Sequence, residues 1–369
     1  MRIHRIALNG FRNYEWETVE FAPGTNVITG QNAQGKTNLL EAVYLLSCGR
    51  SFRTRFDREL VGFGFSEAEI LADIHSHDRD QTVSIRLRPG VSKRILVNGV
   101  KKTAGELSGQ INAVLFSPDD LNLIKEGAAV RRRLMDNAIS QIRPRYGEIL
   151  SDFNKFYEHK TRILKDWREK PSLLETLDEF SDGMARASAH LIRYRAAFAR
   201  RLAEAAPPIH REFSGEGEEL GIQYTTVSTV RDPFASAREI YYDVCEHQEK
   251  HRQAELDSAQ CLTGAHKDDL EISINGRPAR SFASQGQTRT AALSLKLAER
   301  EIFLEETGEY PILLLDDVLS ELDTRRQEFV LNRLSGGQTL ITCCEDDEIS
   351  SRTGGRVIFV ENGKIRNQG

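Results

Sequence analysis

A glycine-rich stretch near the start of the chain has the residue types and spacing of a loop that binds phosphate. Residues 30–37 read Gly-Gln-Asn-Ala-Gln-Gly-Lys-Thr, which fits the pattern G-x-x-x-x-G-K-[ST] at every fixed position. The apolar residues 26–29 predict a short buried strand before the loop, and residues 38–46 predict a helix after it. This order of strand, loop and helix indicates binding of a nucleoside triphosphate.

The chemistry of this loop assigns roles to its residues. Glycines let the backbone curve around a phosphate with its N–H groups pointing inward, and the helix N-terminus adds partial positive charge. We expect Lys36 to reach the β- and γ-phosphates and the Thr37 hydroxyl to hold Mg²⁺. The candidate nucleotide-binding residues of the loop are Gly30, Gln31, Asn32, Ala33, Gln34, Gly35, Lys36, Thr37 and Asn38.

A second group of candidate catalytic residues closes an apolar run far along the chain. Residues 311–315 read Pro-Ile-Leu-Leu-Leu and are followed by Asp316 and Asp317. At the carboxyl edge of a parallel sheet, one such carboxylate lies beside the Mg²⁺ of a phosphate-loop site. Acidic residues also end buried strands as helix caps, but the phosphate loop favours the metal role. We therefore predict that Thr37 and Asp316 hold the metal, that Asp317 orients or deprotonates the attacking water, and that Lys36, Asp316 and Asp317 are catalytic.

Hydrophobic periodicity and turn residues predict the strands and helices that must position these candidate residues. Alternating residues predict strands in 1–30 and a β-meander in 68–99, which ends in the turn signal Asn98-Gly99. Residues 121–206 predict several amphipathic helices, interrupted at Pro207-Pro208. A short strand at 221–227, a helix at about 233–259 and a return to β/α character near residue 263 complete the prediction.

Length and composition limit the classes of protein to which the chain can belong. The chain has 369 residues, 39% hydrophobic and 28% charged, with a net charge of −5, which is typical of a globular protein of two or three domains. No apolar run has the length of a membrane span and no cleavable signal is evident. The five cysteines lack C-x-x-C spacing, so we expect reduced thiols in a cytoplasmic protein with no membrane partner.

Positive charge is concentrated locally in this acidic chain. Residues 121–170 hold 12 Lys/Arg against 7 Asp/Glu, and residues 49–58 interleave four arginines with two phenylalanines. Arginine pairs well with phosphate oxygens, although a charge run is also typical of a solvated surface. The candidate DNA contacts are Arg53, Arg55, Arg131, Arg132, Arg133, Arg193 and Arg195.

The order of motifs resembles the head of an ABC-type ATPase. Residues 284–287 read Ser-Gln-Gly-Gln and lead a predicted helix, and residues 320–323 read Ser-Glu-Leu-Asp after the Asp-Asp strand. In that family the signature loop acts in trans, so Ser284 and Gly286 would contact the γ-phosphate held by the other subunit. The resemblance therefore implies a homodimer with two sandwiched ATP molecules. It adds Ser284, Gly286 and Gln287 to the candidate nucleotide-binding residues. Arg12 is a further candidate, because the arginine and aromatic residues of segment 9–14 could face an adenine ring. The segment 9–14 that contains Arg12 could instead be packing and surface.

Several segments resemble the RecF family of bacterial recombination mediators, within the SMC branch. They are Phe11–Tyr14, Gly30–Ala42, Gly49–Thr54, Phe116–Leu121, Arg131–Asp136 and Ser284–Gln287. The resemblance implies ATP-dependent dimerisation and binding to gapped duplex and single-strand/double-strand junction DNA. It also implies action with RecR and RecO to load RecA in recombinational repair, replication restart and the SOS response. The implied ATPase is weak, stimulated by DNA, and resets the clamp slowly.

The predicted fold class is α/β, an ABC-type ATPase head with an inserted, mainly helical arm. The head is a mixed sheet around the phosphate loop with an antiparallel β-subdomain. We assign residues 1–117 to its N-terminal half, 118–261 to the candidate DNA-facing arm, and 262–369 to its C-terminal half with the signature, the Asp-Asp strand and the 320–323 turn.

The sequence departs from the usual head at three places. Asp317 stands where a glutamate is common, so we expect slow turnover. Residues 342–345 read Thr-Cys-Cys-Glu where many heads carry a histidine, so no histidine sensor is assigned. The glutamine between lobes is not evident, and residues 117–120 occupy its expected place. His266 could face nucleotide or be structural.

Three other readings are kept open. An ABC transporter motor would need a membrane partner and a groove for a coupling helix. A phosphate-loop kinase would need an acceptor pocket and a lid, and would have no Ser-Gln-Gly-Gln helix. A structural SMC protein without DNA would need a long heptad array, which the insertion is too short to hold.

Overall fold

The computed structural model describes residues 1–107, 109–214, 217–344 and 351–367. Its strands are β1 (Arg2–Phe11), β2 (Tyr14–Glu20), β3 (Thr25–Thr29), β4 (Ala68–Ser76), β5 (Arg79–Arg88), β6 (Val91–Val97), β7 (Val100–Lys102), β8 (Ala113–Phe116), β9 (Leu220–Thr225), β10 (Asp269–Ile274), β11 (Arg277–Pro278), β12 (Ile312–Asp316), β13 (Thr339–Cys343), β14 (Arg356–Glu361) and β15 (Lys364–Asn367). Its α-helices are α1 (Lys36–Cys48), α2 (Ala104–Leu107), α3 (Ala128–Ile142), α4 (Pro144–Asp166), α5 (Leu177–Ser214), α6 (Ala237–Ser258), α7 (Ala279–Phe282), α8 (Gln285–Thr307) and α9 (Thr324–Asn332).

Residue contacts divide the chain into two compact units. The first consists of Met1–Asn122 and Ala292–Gly369, and the second of Leu123–Ala291. The second unit thus includes residues 262–291, which the sequence analysis assigned to the C-terminal half of the head. The domain boundaries given above stay a prediction.

The first unit contains two six-stranded sheets. One is antiparallel, with strand order β2-β1-β4-β5-β6-β7. The other has the order β15-β14-β3-β13-β12-β8 and is parallel except for the edge strand β15. Helix α1 is buried almost all round, and its leucines share one hydrophobic cluster with residues of both sheets. A helix that is apolar on every side requires such cover.

The register of the parallel sheet determines what meets at its carboxyl edge. Asp316 pairs with Thr342 across β12 and β13, and Cys343 pairs with Thr29 across β13 and β3. The residues that follow these three strand ends therefore meet at one edge. They are the glycine-rich loop after β3, Asp317 after β12 and Cys344 after β13.

The second unit is mainly helical and is held by buried charge pairs as well as apolar contacts. Arg195 of α5 is 2% exposed and contacts Asp136 of α3 and the fully buried Asp268. Lys160 of α4 pairs with Glu255 of α6 at 2.7 Å. Because a buried charge is stable only with its partner, these pairs fix which helices lie together. The antiparallel sheet β11-β10-β9 completes the unit.

Helix α5 differs from the sequence expectation of an interruption at Pro207-Pro208. It runs for 38 residues with both prolines inside it. The buried residues Leu202, Ala206, Ile209 and Phe213 continue its apolar face past them, so tertiary packing overrides the local cost of two missing N–H donors. No helix in the described ranges combines the length and apolar character that crossing a membrane requires.

Candidate functional site

The glycine-rich loop joins β3 to α1 with the conformation that its two glycines permit. Gly30 has φ 148° and Gly35 has φ 118°. A Cβ on Gly30 would lie 2.2 Å from the Val360 carbonyl oxygen, and one on Gly35 would lie 2.7 Å from the Asn13 amide. Both positions therefore need glycine for conformation and for space. Ala33 lies between them with φ 64°.

Lys36 begins α1 and lies inside the curve of the loop. Its ammonium donates to the carbonyl oxygens of Gly30 at 2.5 Å and Gln31 at 2.9 Å, and the side chain is 7% exposed. The positive charge, the helix N-terminus and the loop backbone thus share one small volume. This arrangement suits a polyphosphate.

Residues outside the loop support its backbone. The Tyr14 hydroxyl donates to the Gly35 carbonyl at 2.9 Å, and the Asn13 amide donates to the Gln34 carbonyl at 2.8 Å. Burial raises the pKa of Tyr14 well above its usual value. The backbone N–H of Asn362 donates to the Gln34 side chain at 2.6 Å. Turns after β1 and β14 therefore hold the loop in place.

Thr37 and Asp316 meet at the edge of the parallel sheet. The Thr37 hydroxyl donates to Asp316 Oδ1 at 2.8 Å, and the Thr342 hydroxyl donates to the same oxygen at 3.0 Å. Burial raises the pKa of Asp316, although both hydrogen bonds oppose that shift. A hydroxyl and a carboxylate are the hard oxygen ligands that Mg²⁺ prefers, so this pair fits the predicted metal site.

Asp317 adopts a left-handed backbone conformation directly after Asp316. Its φ is 52°, which is costly for a residue with a side chain. Its N–H donates to the Thr342 hydroxyl at 2.8 Å, and its carbonyl accepts from the Ser320 hydroxyl at 2.7 Å. Thr342 therefore contacts both acidic residues. A threonine in an apolar strand carries no motif, so its role is evident only from the structure.

Cys344 lies at the loop where many heads have a histidine. Its thiol donates to Asn32 Oδ1 at 2.9 Å and lies 3.8 Å from the Lys36 ammonium. Cys344 is exposed, whereas Cys343 is buried. The neighbouring Glu345 lies outside the described residues.

Arg12 is bound to a buried carboxylate of α1. Its guanidinium contacts both oxygens of Glu41, at 2.8 and 2.7 Å, and Glu41 is fully buried. Ser51 and Arg53 also contact Glu41. Glu41 lies in the family-like segment Gly30–Ala42, but its sequence position alone assigns it no role. A nucleotide contact by Arg12 stays a prediction.

The signature residues form a capping box at the start of α8. The Ser284 hydroxyl accepts from the Gln287 N–H at 3.2 Å, and the Gln287 side chain accepts from the Ser284 N–H at 2.8 Å. The Gln287 amide also donates to Glu218 at 2.8 Å. These residues and Gly286 belong to the second unit, whereas the phosphate loop and Asp316 belong to the first.

Two of the predicted DNA contacts are wrong. Arg131 is 4% exposed and forms a two-point ion pair with Asp269, at 2.7 and 2.8 Å. Arg195 is the buried partner of Asp136 and Asp268. Neither guanidinium is on the surface, so neither can reach a DNA backbone.

The other predicted arginines remain candidates. Arg132 is half-buried and donates to the Asp268 carbonyl at 2.6 Å. Exposed side chains are present at Arg53, Arg55, Arg133 and Arg193. His266 packs on Tyr157 with ring centroids 4.6 Å apart, which supports the structural role left open above.

Comparison with known proteins gives one consistent result. Residues 2–365 match the family model described as RecF/RecN/SMC N terminal domain. The DNA replication and repair protein RecF of Acetivibrio thermocellus is 39% identical over 98% of both chains. RecF of Clostridium botulinum is 36% identical over 99% of this chain and 100% of the relative.

Solved structures agree with the sequence comparison. The recombination mediator protein RecF with ATPrS, in the RecFOR pathway, has a TM-score of 0.93 and 35% identity over 100% of this chain and 98% of that chain. An Smc head domain of Pyrococcus furiosus with an extended coiled coil, bound to the C-terminal domain of ScpA, has a TM-score of 0.57 and 17% identity. That match covers 99% of this chain and 95% of the other, and it concerns the fold alone. The predicted ABC-type ATPase head is thereby confirmed.

Proposed function

The chain belongs to the RecF family of DNA replication and repair proteins, and we propose that it acts there as an ATP-dependent DNA-binding clamp. The observation that carries the proposal is the contact between Thr37 and Asp316. It joins the phosphate loop to the acidic strand end, residues that lie 279 positions apart in the chain. Structures of a RecF relative with ATP and with ATPrS support ATP as the nucleotide.

The ABC/SMC-type ATPase family implies ATP hydrolysis. The positions of the side chains at the phosphate loop and the acidic strand end support a separate role for each in that reaction. The loop backbone and Lys36 would bind the phosphates, and Thr37 and Asp316 would hold Mg²⁺, which neutralises phosphate charge. Asp317 would orient the attacking water and accept its proton. Its carboxylate is one methylene shorter than glutamate, which favours slow hydrolysis and a long-lived bound state.

Dimerisation on ATP is the proposed switch. Each chain has one phosphate loop and one Ser-Gln-Gly-Gln helix start, and a helix N-terminus favours negative charge. Ser284 and Gly286 would therefore bind the γ-phosphate held by a second copy. Two ATP molecules would then lie between two chains, and hydrolysis would release them.

DNA is the proposed partner of the dimer. The exposed arginines Arg53, Arg55, Arg133 and Arg193 and the half-buried Arg132 are the contacts that we retain. Such contacts go to phosphate oxygens, so binding should be salt-sensitive and carry little base readout. Within the RecFOR pathway named for the solved relative, we infer junction and gap binding, action with RecR and RecO, and RecA loading in the cytoplasm.

The test is fluorescence anisotropy on a gapped duplex, with and without ATP–Mg²⁺, across a salt series. We expect ATP to tighten binding of the wild type at least about tenfold, and Lys36→Arg to lose this effect because a planar guanidinium cannot replace a compact ammonium. Arg133→Ala and Arg193→Ala should each weaken binding and reduce the salt slope by roughly 0.9 per lost phosphate contact.

Arg186→Ala is the matched control for the arginine variants. Arg186 is exposed on the same helix as Arg193 but is paired with Asp182 at 2.8 Å, so its removal should change DNA affinity less than twofold. Absence of DNA binding under every nucleotide condition would reject the clamp. An ATP response retained by Lys36→Arg would reject the assigned role of the loop.

A further inference from the structure

Three side chains that commonly bind metal ions meet on the antiparallel sheet of the first unit, outside the residues assigned to ATP. His4 lies on β1, His75 on β4 and Asp80 on β5, which are adjacent strands. One ligand atom from each residue lies within 4.8 Å of the other two. His4 and Asp80 are exposed and His75 is half-buried, so an ion from solvent can reach all three.

The backbone of the sheet brings these side chains together. His75 pairs with Asp80 across β4 and β5. The register between β1 and β4 shifts between Ile3 and Arg5, which leaves His4 as an extra residue in β1. Such a bulge re-aims a side chain, and the His4 ring lies edge-on to His75 with centroids 6.1 Å apart. Paired strands therefore hold the cluster, and such elements position ligands more accurately than loops do.

The donor set indicates a class of ion. Two imidazoles and a carboxylate suit divalent transition metals, whereas Mg²⁺ and Ca²⁺ prefer oxygen ligands alone. His75 Nδ1 lies 2.8 Å from Asp80 Oδ1, and a carboxylate beside an imidazole is typical of metal sites, as a ligand or as the group that orients one. The chemistry of this cluster thus differs from that of Thr37 and Asp316.

We propose that His4, His75 and Asp80 form a binding site for a divalent transition-metal ion such as Zn²⁺. Three protein ligands leave at least one coordination position for water or an exchangeable ligand. A cavity of about 420 Å³ lies beside His75 and is lined also by Met1, Arg2 and Gln338, among others.

Two features determine the affinity that we expect the site to have for a metal ion. Ligand atoms around a zinc ion with bonds of about 2.0–2.1 Å lie roughly 3.3–3.5 Å apart. The ligand atoms of the cluster lie within 4.8 Å of one another, so the most distant pair must approach, whereas His75 Nδ1 and Asp80 Oδ1, now 2.8 Å apart, must separate slightly. Arg2 lines the same cavity and contributes positive charge near Asp80. Its charge opposes a dication, so Arg2→Gln should bind the ion more tightly than the wild type.

The experiment titrates the metal-stripped full chain with ZnCl₂ against a chromogenic chelator, with excess Mg²⁺ present to occupy oxygen-ligand sites. The wild type should bind one equivalent, and His75→Ala and Asp80→Asn should each weaken binding about tenfold or more. His77→Ala is the matched control, because His77 is exposed on the turn between the same strands but contacts Glu309. It should leave the affinity within twofold.

A Co²⁺ titration gives a second readout that does not depend on activity. The wild type should develop visible d–d absorption that His75→Ala and His4→Ala lack, while circular dichroism shows that each variant is folded. Zinc affinity and a cobalt spectrum that are unchanged in His75→Ala and Asp80→Asn would overturn the proposal. A cobalt–sulfur charge-transfer band that persists in those variants would do the same, because it would assign the ion to cysteine.

Discussion

At the scale of single residues, Thr342 couples the two carboxylates of the candidate site. One buried hydroxyl donates to Asp316 and accepts from the N–H of Asp317. Because Asp317 has a left-handed backbone, its peptide depends on contacts of this kind to keep its orientation. The threonine thereby links the predicted metal ligand to the predicted water-orienting residue.

Replacing this hydroxyl should slow ATP hydrolysis. In Thr342→Val the Asp317 N–H loses its acceptor at constant side-chain volume, a loss worth about 1–3 kcal/mol. We expect kcat to fall roughly tenfold and the Mg²⁺ concentration for half-maximal turnover to rise. The measurement is steady-state ATP turnover across a Mg²⁺ series, with nucleotide binding measured in parallel.

Thr342→Ser is the conservative control for that change. It keeps the hydroxyl and should restore most of the turnover and the wild-type Mg²⁺ dependence. Wild-type turnover and Mg²⁺ dependence in Thr342→Val would contradict the coupling role. If the melting temperature falls in both Thr342→Val and Thr342→Ser, the slower turnover is due to altered packing instead.

At the scale of elements, the start of α8 combines a stabilising cap with a proposed binding surface. Ser284 and Gln287 satisfy each other's backbone N–H groups. Ser284 is nevertheless exposed. The same hydroxyl can therefore cap its own helix and face a second chain.

Ser284→Arg should leave ATP binding by the monomer intact and prevent dimerisation. Its bulk and positive charge would stand where the γ-phosphate of the other chain is expected, and we predict a dimer dissociation constant weaker by at least about tenfold. Size-exclusion chromatography with light scattering in the presence of ATPγS measures the effect.

Ser284→Ala separates the two roles of that residue. It removes the cap, which costs about 0.5–2 kcal/mol of helix stability, without adding bulk. If alanine blocks the dimer as completely as arginine does, the steric explanation fails. An ATPγS-dependent dimer of normal affinity in Ser284→Arg would refute the trans-signature model.

Sequence was most informative where the residues of one function are adjacent in the chain. Gly30–Thr37 and the pair Asp316 and Asp317 each carry a motif, and the parallel register then brings the two groups to one edge. Tyr14 and Glu41 lie in segments that resemble the RecF family, but their pattern does not show that they support the site. Thr342 lies in an apolar strand without a motif.

Charged residues were the least predictable part of the sequence. Arg131 reads as part of a basic run, but its partner Asp269 lies 138 residues away. Arg195 has the same spacing as exposed helical arginines, yet it pairs with Asp136 at a separation of 59 residues. Whether an arginine is buried depends on such distant acids, which local sequence does not reveal. Packing likewise carries α5 through Pro207-Pro208.

At the scale of the whole molecule, histidines with lowered pKa values make stability depend on pH. Burial lowers the pKa of His266 from 6.5 to about 4, and its ring lies against Tyr157 while its Nε2 contacts the Cys261 carbonyl at 3.0 Å. Between pH 6.5 and 4 the unfolded chain binds a proton that the folded chain does not. The contribution of His266 is therefore complete above pH 6.5 and declines as pH falls toward 4.

His266→Gln should reduce that acid sensitivity. A proton bound only by the unfolded chain changes the free energy of unfolding by at most about 1.4 kcal/mol per pH unit. Glutamine keeps a hydrogen-bond donor at this position but does not titrate. We expect the midpoint of urea unfolding of the second unit to fall less steeply between pH 6.5 and 4.5 in the variant. His190, His210 and His247 also have lowered pKa values, and they are unchanged in both proteins. If the unfolding midpoint falls equally steeply with pH in the wild type and in His266→Gln, then His266 is solvated or protonated in the folded state.

The strand order has a consequence for how the protein is made. Within the described residues, β3 pairs with the parallel strands β13 and β14, which begin 314 and 331 positions after β3 begins (339 − 25 and 356 − 25). At a translation rate of about 5–20 residues per second, roughly 15–60 s pass between synthesis of the phosphate loop and synthesis of the strands that flank β3. The contiguous second unit leaves the ribosome during that interval. A chain that ends before β13 therefore carries the whole loop motif without the two parallel strands that flank β3 in the folded protein. We expect such a chain to gain the ability to bind ATP only when translation has passed β13.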